Sequence, residues 1–234
     1  MHPVLKIFLG VLICAPCAAM AQGYGPRPYH RYEPYPGYVD AYYQPSVTQD
    51  FSDGSSGRAD GDGFGFRAWI PVAPLVILTG EWQRDHYDTL HLDGVGKFHA
   101  NVDDDQYRLG AGLQWHLPAP VRLAAYAEYI NEQARGDVEG AAVDTKSDGF
   151  GFHGRATFSP SPWVSLYGQV GYVRLRDDND NKADGPELLG GVAVYPTPLM
   201  RLFVDVRSPR LTDDQGGTLD TVEVRTGIGA VLGI

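Results

Sequence analysis

The feature that most constrains this chain is an alternation of apolar and polar residues that recurs along most of its length. From Tyr107 to Leu117 every second residue is apolar or aromatic, and the residues between them are polar or glycine. The run from Val121 to Tyr129 repeats this pattern. A period of two is that of a β-strand, whose successive side chains point to opposite faces. Each run is therefore predicted to be a strand with one apolar and one polar environment.

The chain contains ten such runs, predicted as strands at 38–51, 63–71, 75–88, 104–117, 121–134, 148–158, 163–176, 186–195, 199–209 and 219–234. The connections alternate in kind: four are tight and rich in proline, such as 71–74, and five are long and rich in Asp and Gly, such as 176–185. This is the plan of outer-membrane barrels, which have short periplasmic turns and long extracellular loops. The predicted fold is an all-β, antiparallel, up-and-down transmembrane β-barrel of about ten strands.

The arginines decide which face of the strands meets lipid. Seven share the polar face: Arg67, Arg108, Arg122, Arg155, Arg201, Arg207 and Arg225. At about 2–4 kcal/mol each near the bilayer midplane, seven lipid-facing arginines would cost roughly 14–28 kcal/mol, more than the ~5–15 kcal/mol by which a domain is stable. The polar face is therefore predicted to point inward. An interior ion-pair network is expected between these arginines and carboxylates of the same face, namely Glu81, Glu128, Asp205 and Glu223, with Asp40 as a further partner.

Other fold classes fit the sequence less well. A soluble calycin-like barrel or sandwich would show the same alternation, with its apolar face as the core. The asymmetry between short turns and long loops favours the membrane barrel. No stretch reaches the roughly 18 uninterrupted apolar residues of a membrane helix. The 29 acidic residues outnumber the 19 basic ones, giving a net charge of -10, which argues against a nucleic-acid partner.

The N-terminal segments are predicted to lie outside the barrel. Residues 1–21 resemble a secretory signal peptide, with Lys6, an apolar run at 7–19 and a small-x-small cleavage site at 19–21. Both cysteines lie inside this segment. Residues 22–37 are rich in proline and tyrosine and are predicted to form a flexible periplasmic segment, followed by the barrel at 38–234. The expected location is the outer membrane of a Gram-negative cell, reached with a cleaved signal peptide.

Three segments carry a family resemblance: VDDDQYRLGAGLQWHL at 102–117, YVDAYYQPSV at 38–47 and VSLYGQVGY at 164–172. They resemble the small outer-membrane β-barrel superfamily that includes opacity-type porins and a quorum-factor-regulated barrel family. The resemblance covers about Tyr38 to Ile234 and implies no catalytic residues. Members of that superfamily typically end in Phe or Trp, which the barrel-assembly machinery reads, whereas this chain ends in Ile234.

The acids of the long segments are the strongest charge feature. They can form a solvated outer surface, or they can bridge through divalent cations to lipopolysaccharide or another cell surface. The best calcium candidates are Asp177, Asp178, Asp180 and Asp184, because hard oxygen ligands suit Ca²⁺. Their spacing lacks the central glycine and the glutamate of an EF-hand loop. No other cofactor is expected. The expected partners are outer-membrane lipid, lipopolysaccharide, the barrel-assembly machinery and an external surface ligand.

Three functions are compatible with such a barrel. The first is a non-enzymatic role in envelope structure and surface interaction or adhesion, through the acidic extracellular segments. The second is a narrow channel, although large inward side chains are expected to close most of a ten-stranded interior. The third is an enzyme acting on outer-membrane lipid. The pairs Asp85 with His86 and Ser165 with His153 could be drawn into a triad, but no spacing requires it.

Three histidines of the second long segment, His86, His91 and His99, lie close in sequence to Asp85 and Asp88. Imidazole suits zinc, copper and nickel. No helical or turn spacing brings these side chains together, so ordinary loop histidines are predicted instead. The sequence therefore favours a non-enzymatic barrel without a resident transition metal.

Overall fold

The structure is a computed structural model that describes residues 37–53, 55–117 and 120–232. Its regular elements are ten β-strands: β1 Gly37–Asp53, β2 Ser55–Ala73, β3 Val76–Leu92, β4 Gly96–His116, β5 Val121–Val138, β6 Ala141–Ser161, β7 Val164–Asp177, β8 Lys182–Thr197, β9 Met200–Asp213 and β10 Thr218–Leu232. The predicted signal peptide at 1–21 and nearly all of the Pro/Tyr-rich segment at 22–37 lie outside the described residues. No helix in the described ranges is long and apolar enough to cross a membrane.

The ten strands close into one barrel. Each strand pairs antiparallel with its neighbours in sequence, and β1 pairs with β10 from Gly37 opposite Leu232 to Ser52 opposite Thr218. Closure satisfies the backbone hydrogen bonds of every strand and leaves no open edge. The predicted all-β, up-and-down, ten-stranded barrel is confirmed.

The strands extend further than the sequence predicts at the end opposite the short turns. The pairing of β2 with β3 continues to Gly57 opposite Leu92, and that of β4 with β5 continues to Ala100 opposite Val138. Most of each acid-rich segment is therefore paired strand, and within the described residues short turns close the hairpins β3–β4, β5–β6, β7–β8 and β9–β10. We call this paired, acid-rich continuation of the barrel the upper wall.

The turn between β5 and β6 shows how tightly a hairpin of the upper wall closes. Only Glu139 and Gly140 separate the paired residues Val138 and Ala141, and both have positive φ, 52° and 82°. Two residues with positive φ match the right-handed twist of the flanking strands. Glycine adopts this conformation at no steric cost, so Glu139 carries the strain of the turn.

Aromatic residues form a belt around the outside of the barrel, just below the upper wall. Trp82 contacts the rings of Phe66 and Tyr107, with centroids 5.9 and 6.5 Å away, and Tyr129 contacts Phe150 at 5.6 Å. The belt comprises Phe64, Phe66, Trp82, Tyr107, Tyr129, Phe150, Phe152 and Tyr172. Exposed aromatic rings near the short turns include Trp115 and Trp163. Two aromatic levels separated by an apolar band are typical of a barrel that crosses a membrane.

Apolar clusters occupy the inside of the barrel at both ends. Near the short turns, the first contains Tyr38, Trp69, Ile77, Ala124 and Tyr126. Inside the upper wall, two clusters are built around Val47, Ala59 and Tyr87 and around Ile130, Val173, Leu175 and Leu211. Charged and amide side chains occupy the space between these ends together with a cluster of Tyr42, Tyr167, Ala193 and Phe203.

Candidate functional site

Strand alternation places all eleven residues of the predicted ion-pair network on the inner face. Ten are buried and Glu81 is partly buried, at 19% exposure of its side chain. Because successive side chains of a strand point to opposite faces, one inward residue fixes the direction of every second residue along that strand. The eleven are Arg67, Glu81, Arg108, Arg122, Glu128, Arg155, Arg201, Asp205, Arg207, Glu223 and Arg225.

One half of the network is centred on Asp205 of β9. Arg67 of β2 reaches Asp205 with Nη1 at 2.8 Å and Asp40 with Nε at 2.9 Å. Arg225 of β10 binds Asp205 with Nε at 2.7 Å and Glu81 of β3 with Nη1 at 2.8 Å. Strands β2 and β9 are not neighbours in the barrel. The ion pairs therefore cross the interior and tie separate parts of the wall together.

The other half is centred on Glu187 of β8. Arg108 of β4 and Arg207 of β9 reach Glu187 Oε2 at 2.9 and 2.8 Å. Arg108 also binds Glu128 at 2.7 Å, and His153 Nε2 lies 3.0 Å from the same Glu128 oxygen. Charge-assisted bonds of this kind are the strongest polar contacts in a protein interior. Glu187 was absent from the predicted network, although it lies on the inward face of its predicted strand.

Neutral polar groups add hydrogen bonds to the network. Tyr167 donates its hydroxyl to Asp205 at 2.7 Å, and Tyr126 donates to Gln169 Oε1 at 2.7 Å. Gln106 Oε1 accepts from Arg108 Nε at 2.7 Å and also from Arg207. The buried glutamines share the inward face with the arginines, but they were absent from the predicted network. Full hydrogen bonding is what makes buried charge tolerable.

Three of the predicted arginines lie towards the short turns and stack on aromatic rings. Arg201 lies 4.2 Å from the Tyr38 ring centroid and also pairs with Asp40. The Arg155 and Arg122 guanidinium groups lie 4.9 and 5.8 Å from the ring centroid of Trp69. Cation–π contacts of this kind stabilise desolvated guanidinium groups.

Acidic groups dominate the opposite side of the network, beneath the upper wall. Asp85 accepts from Gln83 Nε2 at 3.1 Å, and Glu132 accepts from Gln106 Nε2 at 3.0 Å. Asp85 and Asp104 are both buried, and each has one carboxylate oxygen without a hydrogen-bond partner. Among the described residues, no group of three or more His, Cys, Asp or Glu side chains is arranged to hold a metal ion.

The interior leaves little room for a pore. A cavity of about 40 Å³ lies among Trp69, Glu81, Arg108, Arg155 and Glu187. A volume of this size holds a few water molecules. Cross-barrel ion pairs and the apolar clusters at both ends fill much of the remaining space.

The four calcium candidates lie on the hairpin that joins β7 and β8, but their side chains turn to different partners. Asp177 accepts from the Asn181 backbone and side-chain amides at 2.9 and 2.8 Å, which closes the turn. Asp180 pairs with Arg176, and Tyr172 donates its hydroxyl to Asp184. Asp178 is exposed. The structure thus does not bring the four carboxylates together.

The side chains of the two candidate catalytic pairs, Asp85 with His86 and Ser165 with His153, are not in contact in the structure. Asp85 points inward, whereas His86 points outward and pairs with Asp103 at 2.7 Å. Ser165 shares a hydrogen bond with Ser159 at 2.7 Å, and His153 binds Glu128. Glycine at 171 leaves room for the His153 ring, which a side chain there would strike. Neither of the two triads drawn from the sequence is assembled.

Comparison with solved structures supports the fold assignment of this barrel. The chain matches the outer membrane protease OmpT from Escherichia coli with a TM-score of 0.53 at 10% identity, over 88% of this chain and 99% of that chain. It matches the transport unit of the autotransporter AIDA-I from Escherichia coli with a TM-score of 0.53 at 8% identity, over 94% and 97% of the two chains. The chain has the fold of an outer-membrane β-barrel.

A third match is the beta domain of the Bordetella autotransporter Brka, with a TM-score of 0.53 at 13% identity over 85% of this chain and 100% of that chain. At these identities the likeness concerns the fold alone. No family model matches the sequence, and no curated protein matches it either. The narrower resemblance to opacity-type porins and quorum-factor-regulated barrels stays a prediction.

Proposed function

We propose that this protein is a non-enzymatic outer-membrane barrel that acts through its upper wall, in contact with lipopolysaccharide or another anionic cell surface. The observation that carries the proposal is the upper wall itself, a set of paired and acid-rich hairpins that rises above the aromatic belt. Exposed acids there include Asp88, Asp93, Asp178 and Asp214. Asp93, Asp178 and Asp214 lie in the tight turns that cap these hairpins, and Asp88 lies at an irregularity of the β3 pairing. The paired strands below hold these turns in place, as a binding surface requires.

The filled interior supports a role at the surface over a role in transport. Arg67, Arg108, Arg207 and Arg225 each bind carboxylates on other strands, so the centre of the barrel is crossed by side chains. A solute path would have to break several charge-assisted bonds in a desolvated interior. Such a network is better suited to supporting the upper wall rigidly than to passing a solute.

Divalent cations are the chemistry that would join an acidic wall to an anionic partner. Carboxylates bind Ca²⁺ and Mg²⁺ through hard oxygen atoms, and exposed carboxylates can share a hydrated ion with phosphate groups. The net charge of -10 would otherwise repel anionic lipopolysaccharide. Calcium dependence is therefore the signature expected of this contact.

The test is attachment of cells that display the full chain to lipopolysaccharide-coated beads, with and without calcium. The variant carries Asp88→Asn, Asp93→Asn, Asp178→Asn and Asp214→Asn. The matched control replaces four exposed neutral residues by alanine, namely Asn101, Thr145, Asn179 and Gln215. If each exposed contact is worth about 0.2–1 kcal/mol, loss of four should reduce calcium-dependent attachment at least about threefold. Attachment of wild-type cells no stronger than that of cells lacking the protein would contradict the proposal.

A further inference from the structure

Arg155 differs from the arginines at the centre of the ion-pair network. Arg67, Arg108, Arg207 and Arg225 each bind one or more carboxylates, whereas Arg155 has no carboxylate at ion-pair distance within the described part of the chain. Its guanidinium stacks on Trp69 and Tyr167, and its Nε has no hydrogen-bond partner. The residue is only 8% exposed. A buried cation in this state favours a counter-ion.

Two further donors without partners line the same cavity as Arg155. Trp69 is 3% exposed, and its indole Nε1 has no hydrogen-bond partner. Thr79 lies opposite Trp69 in the pairing of β2 with β3, and its hydroxyl is also without a partner. All three residues line the cavity of about 40 Å³. Unsatisfied buried donors are rare in native proteins, and an acceptor inside this cavity could pair with these three.

The charges around the cavity favour an anion as that acceptor. The lining contains four arginines, Arg67, Arg108, Arg155 and Arg207, and three glutamates, Glu81, Glu128 and Glu187. Each glutamate is already bound by an arginine, at 2.8 Å from Arg225, 2.7 Å from Arg108 and 2.8 Å from Arg207 respectively. The unbalanced charge is the positive charge of Arg155.

We propose that Arg155, Trp69 and Thr79 form a binding site for a small inorganic anion of halide size inside the barrel. The guanidinium and indole groups supply N–H donors, and the threonine hydroxyl supplies an O–H donor. The cavity of about 40 Å³ has room for a monatomic or similarly small ion. The bound anion neutralises Arg155 and gives the half of the barrel near the short turns a preference for anions over cations.

Chloride binding to the full chain, refolded in detergent, tests this site. The chloride NMR line width is measured for the wild type and for two variants. Arg155→Gln removes the charge, and Trp69→Phe removes the indole N–H but keeps an aromatic ring beside Arg155. The matched control is Arg210→Gln, because Arg210 is an exposed arginine paired with Asp220.

The wild type should broaden the chloride resonance. Affinity should fall about tenfold or more in R155Q and about threefold or more in W69F, because hydrogen bonds to charged groups contribute that much to binding. R210Q should match the wild type. Heat-modifiable migration on gels checks that each variant folds. If R155Q does not fold, the chloride affinity of W69F tests the site. Absence of broadening in the wild type would mean that water alone fills the cavity and would overturn the proposal, as would equal losses in R210Q and the site variants.

Discussion

Glu187 has the largest share of the ion pairs in its half of the barrel interior. Its carboxylate lies within 2.9 Å of Arg108 and Arg207, and His153 Nδ1 lies 3.7 Å away. Removing one partner of a buried ion pair leaves an uncompensated charge, whereas removing both is tolerated better. The stability of the barrel should therefore depend on this single side chain.

Replacement of Glu187 by Gln should lower the free energy of unfolding by about 3–5 kcal/mol, because two buried guanidinium groups lose their shared carboxylate. Urea unfolding in lipid vesicles, followed by tryptophan fluorescence, measures the change. Asp178→Asn, at an exposed hairpin position, is the control and should have little effect. Equal stability of E187Q and the wild type would show that the network does not support the barrel.

For individual residues, the sequence predicts whether a side chain points into or out of the barrel, but it does not predict the ion-pair partner of that side chain. The alternation places Arg67, Arg108 and Arg207 inward, and the cost of arginine in lipid selects the inner face. Each of these three arginines pairs with the carboxylates that the stagger of the closed barrel places at the same height. This stagger cannot be deduced from sequence periodicity. Asp85 and Asp104 lie within the predicted strands 75–88 and 104–117, but they were absent from the predicted interior network.

Among the elements, the described short turns at 74–75, 162–163 and 198–199 lie at or beside the predicted proline-rich connections, whereas most of the acid-rich segments are paired strand. Asp and Gly have low strand propensity, so a segment rich in these residues is predicted from sequence to be a loop. Buried residues such as Val47 and Tyr87 pack inside the upper wall and outweigh that propensity. The backbone hydrogen bonds of neighbouring hairpins add to this packing.

The cost of an arginine on the outer face of β4 should depend on its depth in the membrane. Ala111 faces outward between Trp115 and Tyr107, midway through the apolar band, and Asn101 lies in the upper wall of the same strand. Ala111→Arg should cost about 2–4 kcal/mol of unfolding free energy in lipid, and Asn101→Arg about 0–1 kcal/mol. Urea titration of both variants in vesicles measures the difference. Equal costs would mean that the aromatic belt does not mark the membrane boundary.

Across the whole molecule, the interior is layered by charge. Arginines on aromatic rings lie near the short turns, ion pairs fill the centre, and acids without arginine partners in the described structure, such as Asp85, lie beneath the upper wall. This layering follows from which residues alternate inward at each height of the ten strands. It produces an internal electric field along the barrel axis.

The filled interior predicts that the barrel does not conduct like a porin. In planar bilayers the wild type should give no stable conductance of porin size, because the cavity of about 40 Å³ is small and ion pairs cross the interior beside it. A known porin reconstituted in the same bilayers is the positive control. A steady porin-sized current would show that the network opens in the membrane and would favour the channel function.

The most direct test of the central claim, a closed outer-membrane barrel, is the migration of the membrane-extracted protein on SDS gels, boiled and unboiled. A barrel closed by the pairing of β1 with β10 should resist the detergent without heat, so the unboiled sample should migrate differently from the boiled one. Identical migration of the two samples, with the protein free in the periplasm, would contradict the account. The apolar outer face would then have to be the buried core of a soluble fold.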